Sequence, residues 1–302
     1  IAFSSAMADP FHYFKNSHIA VVAAAGGAIE NLTESFDENP SPIAWVKGGI
    51  FFTASQKTAA HLFLLDPATR VVKQVTPWRD RAVSSVSLAD DPGAFAFVRS
   101  GPDEFPEVWM VSAQTGALKK LTDLGSQIAS WPRHTREVIS WKSKDGTLIE
   151  GVLHKPADFQ AGRRYPLLIV IHGGPTGISR PVPYGSTSTY PIDIWLAKGA
   201  LVLEPNYRGS AGYGEAFRSL NVRNLGIGDA WDVISGIDHL VAQGLVDNDR
   251  VGTMGWSQGG YISAFLATSS TKFAAVSVGA GISNWATYYY NTDRKRRKHC
   301  SQ

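Results

Sequence analysis

RVGTMGWSQGG, residues 250–260, is followed by YISAFLATSS at 261–270. The first stretch reads as a strand, a sharp turn and the start of a helix, and the second continues that helix. Gly255-Trp256-Ser257-Gln258-Gly259 has the form G-x-S-x-G. The spacing has a chemical reason. A serine on a strained turn between strand and helix has its hydroxyl lifted clear of the sheet. Glycines two residues to either side let backbone and helix approach with no β-carbon in the way. Ser257 is therefore the candidate nucleophile, and Gly255 and Gly259 are the elbow glycines. The pentapeptide alone also fits a turn of purely structural use. Its position between a strand and a helix favours the chemical reading.

The flanking sequence supplies the rest of a domain. YPLLIVIHGG (165–174) is an apolar, β-branched run ending in glycines, and ALVLEPNYRG (200–209) is a second such run. Both read as buried strands. GDAWDVISGIDHLVAQG (228–244) has helical spacing, with Trp231, Ile234, Ile237, Leu240 and Val241 on one face and Gly244 as a stop. FAAVSVGAG (273–281) reads as a further strand, and EVISWKS (137–143) and TLIEGVLHKP (147–156) flank an Asp145-Gly146 hairpin turn. Strands alternating with helices predict a parallel sheet with helices on both faces. In such a domain an oxyanion hole needs two donors. The backbone N–H of Gln258, just after the serine, is one. The loop after the third strand, His172-Gly173-Gly174-Pro175, supplies the other, assigned to Gly173. His172 itself is a poor candidate for the base, because the base in this fold follows the serine.

The first 130 residues have a different pattern. HIAVVAAAGGAIENLT (18–33), HLFLLDPATRVVKQVT (61–76) and EVWMVSAQTGALKKLT (107–122) each run strand, turn, strand. Each closes on an aliphatic residue and a threonine: Thr33, Thr76 and Thr122. Further short strands, GGIFFTAS (48–55) and GAFAFVRS (93–100), lie between them. Several strands per repeat at this period predict the blades of an all-β propeller. A generic antiparallel β-domain is the alternative. Two to three blades do not close a ring, so the expectation is that a propeller is present only in part. The domains are placed at 1–133 and 134–302.

Composition narrows the partners. The chain has 302 residues, 44% hydrophobic and 18% charged, within the range of globular proteins. No 18-residue apolar run marks a membrane span. Arg294, Lys295, Arg296, Arg297 and Lys298 more than account for the net charge of +3 and leave −2 on the remainder. The basic tail, 294–302, thus argues for no basic face and no nucleic-acid partner. Cys300 is the only cysteine, so no disulfide forms within the chain. The compartment and the oligomeric state stay open.

Four motifs taken together resemble the prolyl oligopeptidase family of serine peptidases, in its acylaminoacyl-peptidase and dipeptidyl-peptidase-like branch. They are HGGP at 172–175, NYRGSAGYG at 206–214, GDAWD at 228–232 and GWSQGGY at 255–261. The resemblance implies an α/β-hydrolase domain preceded by a β-propeller that admits short peptides. It also implies acyl transfer through a serine ester, with no metal and no cofactor. Arg208, Asp229 and Asp232 match family positions and are read as structural residues near the site.

In that fold the triad runs Ser, then Asp or Glu, then His, with strands and helices between them. Asp293 and His299 are the only Asp and His after Ser257, and six residues leave no room for a strand and helix. They are set aside as triad members. The expectation is a catalytic domain without its C-terminal part, weak in activity because serine needs a base. Two rivals stand beside this reading: a carboxylesterase on the same fold, and a non-catalytic scaffold that binds peptides.

Overall fold

One bond recurs in all three repeated segments, in a computed structural model that describes residues 1–7, 14–89, 93–112, 115–183 and 190–291. The closing threonine's hydroxyl oxygen accepts the backbone N–H one residue into the segment. Thr33 takes Ile19 N–H at 2.9 Å, Thr76 takes Leu62 N–H at 3.2 Å and Thr122 takes Val108 N–H at 2.9 Å. The same three strand residues accept from the residue before the threonine, through Leu32 N–H, Val75 N–H and Leu121 N–H. Threonine is needed because the last hairpin bond lies past the end of the shorter strand. A side-chain oxygen there takes a donor that would otherwise be buried unpaired. Thr76→Val keeps the shape and removes the acceptor. It is expected to cost about 1–3 kcal/mol, measured as a shift in the urea midpoint with an unchanged slope.

These hairpins belong to a unit made of Ile1–Trp131 and Ala211–Glu215. Its strands are β1 (Ala2–Ser5), β2 (His18–Val21), β3 (Glu30–Asn31), β4 (Ser41–Val46), β5 (Gly49–Gln56), β6 (Ala59–Leu65), β7 (Val72–Gln74), β8 (Ala82–Leu88), β9 (Ala94–Gly101), β10 (Glu104–Ser112) and β11 (Leu118–Lys120). β1–β3 form an antiparallel sheet. β4–β7 and β8–β11 are two four-stranded antiparallel meanders, joined by the single parallel pair Ala60–Ala82. The two faces of the β4–β7 meander feed different cores. Ile50, Phe52, Phe63 and Leu65 pack with Ile19 and Leu32, whereas Leu62 packs with Val83, Phe95 and Phe97. A sheet covered on both faces by neighbouring sheets explains why its strands are apolar on alternate and intervening positions alike.

Pro132–Ser210 and Ala216–Gln302 make the second unit. Its strands are β12 (Thr135–Lys142), β13 (Leu148–Lys155), β14 (Tyr165–Ile171), β15 (Leu201–Asn206), β16 (Val246–Trp256) and β17 (Ala275–Gly279). Five helices are described in the chain's second half: α1 (Ile192–Ala197), α2 (Gly214–Ser219), α3 (Gly228–Ala242), α4 (Gln258–Ser269) and α5 (Trp285–Asn291). The sheet order is β12-β13-β15-β14-β16-β17. β15, β14, β16 and β17 are parallel, as expected. The sheet as a whole is mixed, which corrects the parallel expectation, because β12–β13 and β13–β15 pair antiparallel. The short turn at Asp145-Gly146 can only return the chain antiparallel.

Helices cover both faces. Leu167, Ile169 and Ile171 of β14 pack with Val233, Ile237 and Leu240 of α3 and Ile262 and Leu266 of α4. Leu168 and Val170 pack with Leu196 of α1. This two-sided burial is why YPLLIVI shows no alternation. The buried face of α3 centres on Ala230, Val233, Ile237 and Leu240, turned slightly from the face expected, and Trp231 is only half-buried. Gly236 sets that rotation, since a β-carbon there would lie 2.9 Å from the Trp141 ring. Among the described residues no helix is long and apolar enough to cross a membrane. The basic tail, Asp293 and His299 lie outside the described residues.

Candidate active site

Ser257 stands between β16 and α4 with φ 58° and ψ −120°. Non-glycine residues rarely adopt this backbone, which costs about 1–3 kcal/mol and persists only where neighbours impose it. The neighbours here are identifiable. Ser257 N–H donates to Gly279 O at 3.0 Å, and Ser257 O accepts Tyr261 N–H at 3.0 Å. Gly255 and Gly259 press on each other so closely that a β-carbon on Gly255 would collide with Gly259 backbone. A β-carbon on Gly259 would collide with Ile171 O, and one on Gly260 with Gly279 O. Gly260, absent from the G-x-S-x-G pattern, is thus as constrained as the two glycines within it. Ser257 is exposed, whereas Gln258, Gly259 and Gly260 are buried.

Two amides lie beside the serine. Gln258 opens α4, so its N–H has no acceptor within the helix. The positive end of the α4 dipole is at the same place. Gly173 lies against the elbow. A β-carbon on Gly173 would be 2.8 Å from Trp256 O, 3.1 Å from Ser257 Cβ and 3.8 Å from Gln258 N. Only a glycine fits there, with its backbone set against Trp256 O and the Ser257 side chain.

His172 is engaged elsewhere. Its Nδ1 is 2.9 Å from Gly173 O, and its Nε2 is 2.9 Å from Ser210 Oγ. Burial pulls its pKa down to about 4, so the ring is neutral at neutral pH. Gly173 O can only accept, so the ring proton sits on Nδ1 and is donated there, while Nε2 faces the Ser210 hydroxyl, whose single proton is shared with Tyr207 O at 2.6 Å.

Arg208, Asp232 and Asp229 lie within the same unit. Arg208 is 2% exposed and Asp232 fully buried. Arg208 Nε donates to Asp232 Oδ2 at 3.0 Å and Nη2 to Asp232 Oδ1 at 2.8 Å, a two-pronged pair. The backbone N–H of Arg208 adds a third bond to Asp232 Oδ2 at 2.8 Å. Asp145 takes the other side of the guanidinium, from Nη1 at 2.8 Å and Nη2 at 3.1 Å. That pairing holds the Asp145 carboxyl well below the usual carboxylate range. Sequence reading saw Asp145 only as a turn residue, and nothing in the Asp-Gly dipeptide signals an arginine 63 positions away. Asp229 Oδ1 accepts Gly226 N–H and Ala230 N–H, both at 2.8 Å. Its Oδ2 is buried with no partner among the described residues. Burial, reinforced by Asp232, raises Asp229 to about 7.

The described residues after Ser257 contain no histidine and no carboxylate. No cluster of three metal-ligating side chains occurs among the described residues.

The chain has recognisable relatives among known proteins. Residues 186–299 match the profile of the prolyl oligopeptidase family. Acylamino-acid-releasing enzyme of Arabidopsis thaliana is 35% identical over 230 residues, which take in 68% of this chain and 29% of that protein. Dipeptidyl-peptidase 5 of Porphyromonas gingivalis is 26% identical over 285 residues, 90% of this chain and 40% of that protein. The solved structure of uncomplexed Pyrococcus horikoshii acylaminoacyl peptidase superposes with a TM-score of 0.82 at 23% identity, covering 99% of this chain and 46% of that one. The chain spans less than half the length of each of these relatives.

Proposed function

Because the chain belongs to the prolyl oligopeptidase family by its match over residues 186–299, we propose that it carries the nucleophile and oxyanion donors of a serine-type peptidase acting on short peptides. The observation that carries this reading is the strained, exposed Ser257 set between β16 and α4. Ser257 Oγ attacks the scissile carbonyl carbon. The carbonyl oxygen becomes an oxyanion held by the Gly173 and Gln258 N–H groups at the positive end of α4. The amine leaves, an acyl-serine forms, and water releases the acid. The two meanders and the β1–β3 sheet are read as two to three propeller blades over 1–133, preceding a catalytic domain at 134–302.

The proton of Ser257 requires a base and an acid that the described residues after it do not supply. The 302-residue polypeptide is accordingly expected to turn over peptides weakly, since a serine without its base keeps only the contribution of the oxyanion hole and binding. Full turnover by that purified polypeptide would sink this part of the reading.

The site is tested by covalent labelling. In the protein as its gene encodes it, a fluorophosphonate should add to Ser257, located by mass spectrometry of the digest, and Ser257→Ala should take up none. Modification elsewhere with Ser257 untouched would overturn the assignment. In the protein as its gene encodes it, a peptide anilide should be hydrolysed faster than a short-chain nitrophenyl ester is, relative to each substrate's spontaneous rate. The reverse order would move the reading to a carboxylesterase.

A further inference from the structure

Gly173 can serve as an oxyanion donor only if its peptide plane faces Ser257. We infer that Tyr207 and Ser210 are positioning residues that fix the two peptide planes around Gly173 by way of His172. The inference rests on the proposed role of Gly173 and names what holds it in place.

The argument starts from planarity. The C=O of His172 and the N–H of Gly173 belong to one trans peptide unit, so the direction of one sets the other. Tyr207 Oη donates to His172 O at 2.9 Å. That bond pins the plane that carries Gly173 N–H. The next plane carries Gly173 O, and His172 Nδ1 donates to it at 2.9 Å. The imidazole is itself held on two sides. Ser210 Oγ meets its Nε2 at 2.9 Å, and the Tyr207 ring stacks on it with centroids 4.5 Å apart at 22°. Gly177 crowds the same ring, since a β-carbon there would lie 2.7 Å from His172 Nδ1. Tyr207 and Ser210 are both fully buried.

The opposite side of the loop is closed by the elbow. Gly259 meets Ile171 O, a β-carbon on it would stand 2.9 Å from His172 O, and Gly173 abuts Ser257 Cβ. The loop is thus wedged between α4 and the segment after β15. A glycine-rich loop is soft, and its amide would otherwise sample many directions. Preorganised donors stabilise an oxyanion because they need no reorientation when charge develops. The bracket removes that reorientation. Its residues touch no substrate and act through Gly173.

Tyr207→Phe keeps the stacked ring and deletes only the bond to His172 O. In the gene-encoded protein it should lower kcat on a peptide anilide about tenfold with KM nearly unchanged, the signature of an interaction made in the transition state. Affinity for a peptide aldehyde, which forms a tetrahedral adduct on the serine, should fall by the same factor. Affinity for a product peptide should hold. Ser210→Ala, which frees the imidazole, should behave the same way and serves as the second variant should Tyr207→Phe fold poorly. Unchanged kcat in both variants, or a loss confined to KM, would overturn the bracket. Undiminished turnover by Ser257→Ala would instead overturn the catalytic reading beneath it, so the two failures are distinguishable.

Discussion

Arg208→Met is expected to destabilise the second unit by about 3–5 kcal/mol, the usual cost of breaking a buried ion pair from one side. Methionine fills much of the space of the arginine stem, so packing loss is the smaller share. The larger share is Asp232, which is fully buried and loses a two-pronged partner. Asp145 is 36% exposed on its side chain. Water screens it, and its loss of Arg208 contributes less than about 1 kcal/mol. Burial already raises Asp232 above the usual carboxylate range, against the pull of Arg208. Without the arginine that rise grows, and the carboxyl is driven toward its neutral form. The penalty should therefore be larger at pH 8 than at pH 5, because the folded variant binds a proton that the unfolded chain has released. Adding Asp232→Asn to Arg208→Met should recover most of the loss, whereas Asp232→Asn alone leaves a buried guanidinium half-paired. Urea unfolding of the four proteins closes the cycle. Independent, additive losses would mean that the pair is not coupled.

How much of this was legible in the sequence depended on how local each cause was. The elbow was legible because strand, serine, glycines and helix are consecutive, and their steric logic needs no partner far away. Gly260 escaped because its constraint is Gly279 O, on β17, which no spacing announces. The repeats were legible because each closing threonine binds a backbone group within its own segment. The mixed sheet was not, since β15 lies between β13 and β14 through an out-of-order connection that local pattern does not encode. Arg208 and Asp232 stood out as residue types in a motif. Asp145 joins them only because the β12–β13 hairpin is folded beside the end of β15. The bracket on His172 was written contiguously in Tyr207-Arg208-Gly209-Ser210, but its meaning appears only when the loops after β14 and β15 are side by side.

Asp229→Asn is expected to stabilise the protein above pH 7 and to destabilise it near pH 4. Asp229 is fully buried, and burial, with Asp232 adding repulsion and Arg208 opposing it, lifts its carboxyl from 3.8 to about 7. Between those values the folded chain holds a proton that the unfolded chain has lost. Stability contributed by this group is therefore present at low pH and is lost as pH rises through about 7. A rise of roughly three units corresponds to about 4 kcal/mol at most, withdrawn in full above that pH. Asparagine keeps an oxygen for Gly226 N–H and Ala230 N–H and is never charged, so it escapes the loss. It places an amide where Oδ2 has no partner among the described residues. That is an offset of about 1–3 kcal/mol with no dependence on pH. The informative quantity is the slope. His172, pulled down to about 4, tilts stability the opposite way, rising from pH 4 to its unfolded value of 6.5, but equally in both proteins. The difference in unfolding free energy between Asp229→Asn and wild type should climb from pH 4.5 to about 7 and then level off toward pH 8. Parallel curves would show that Asp229 is ionised throughout and that its second oxygen is satisfied.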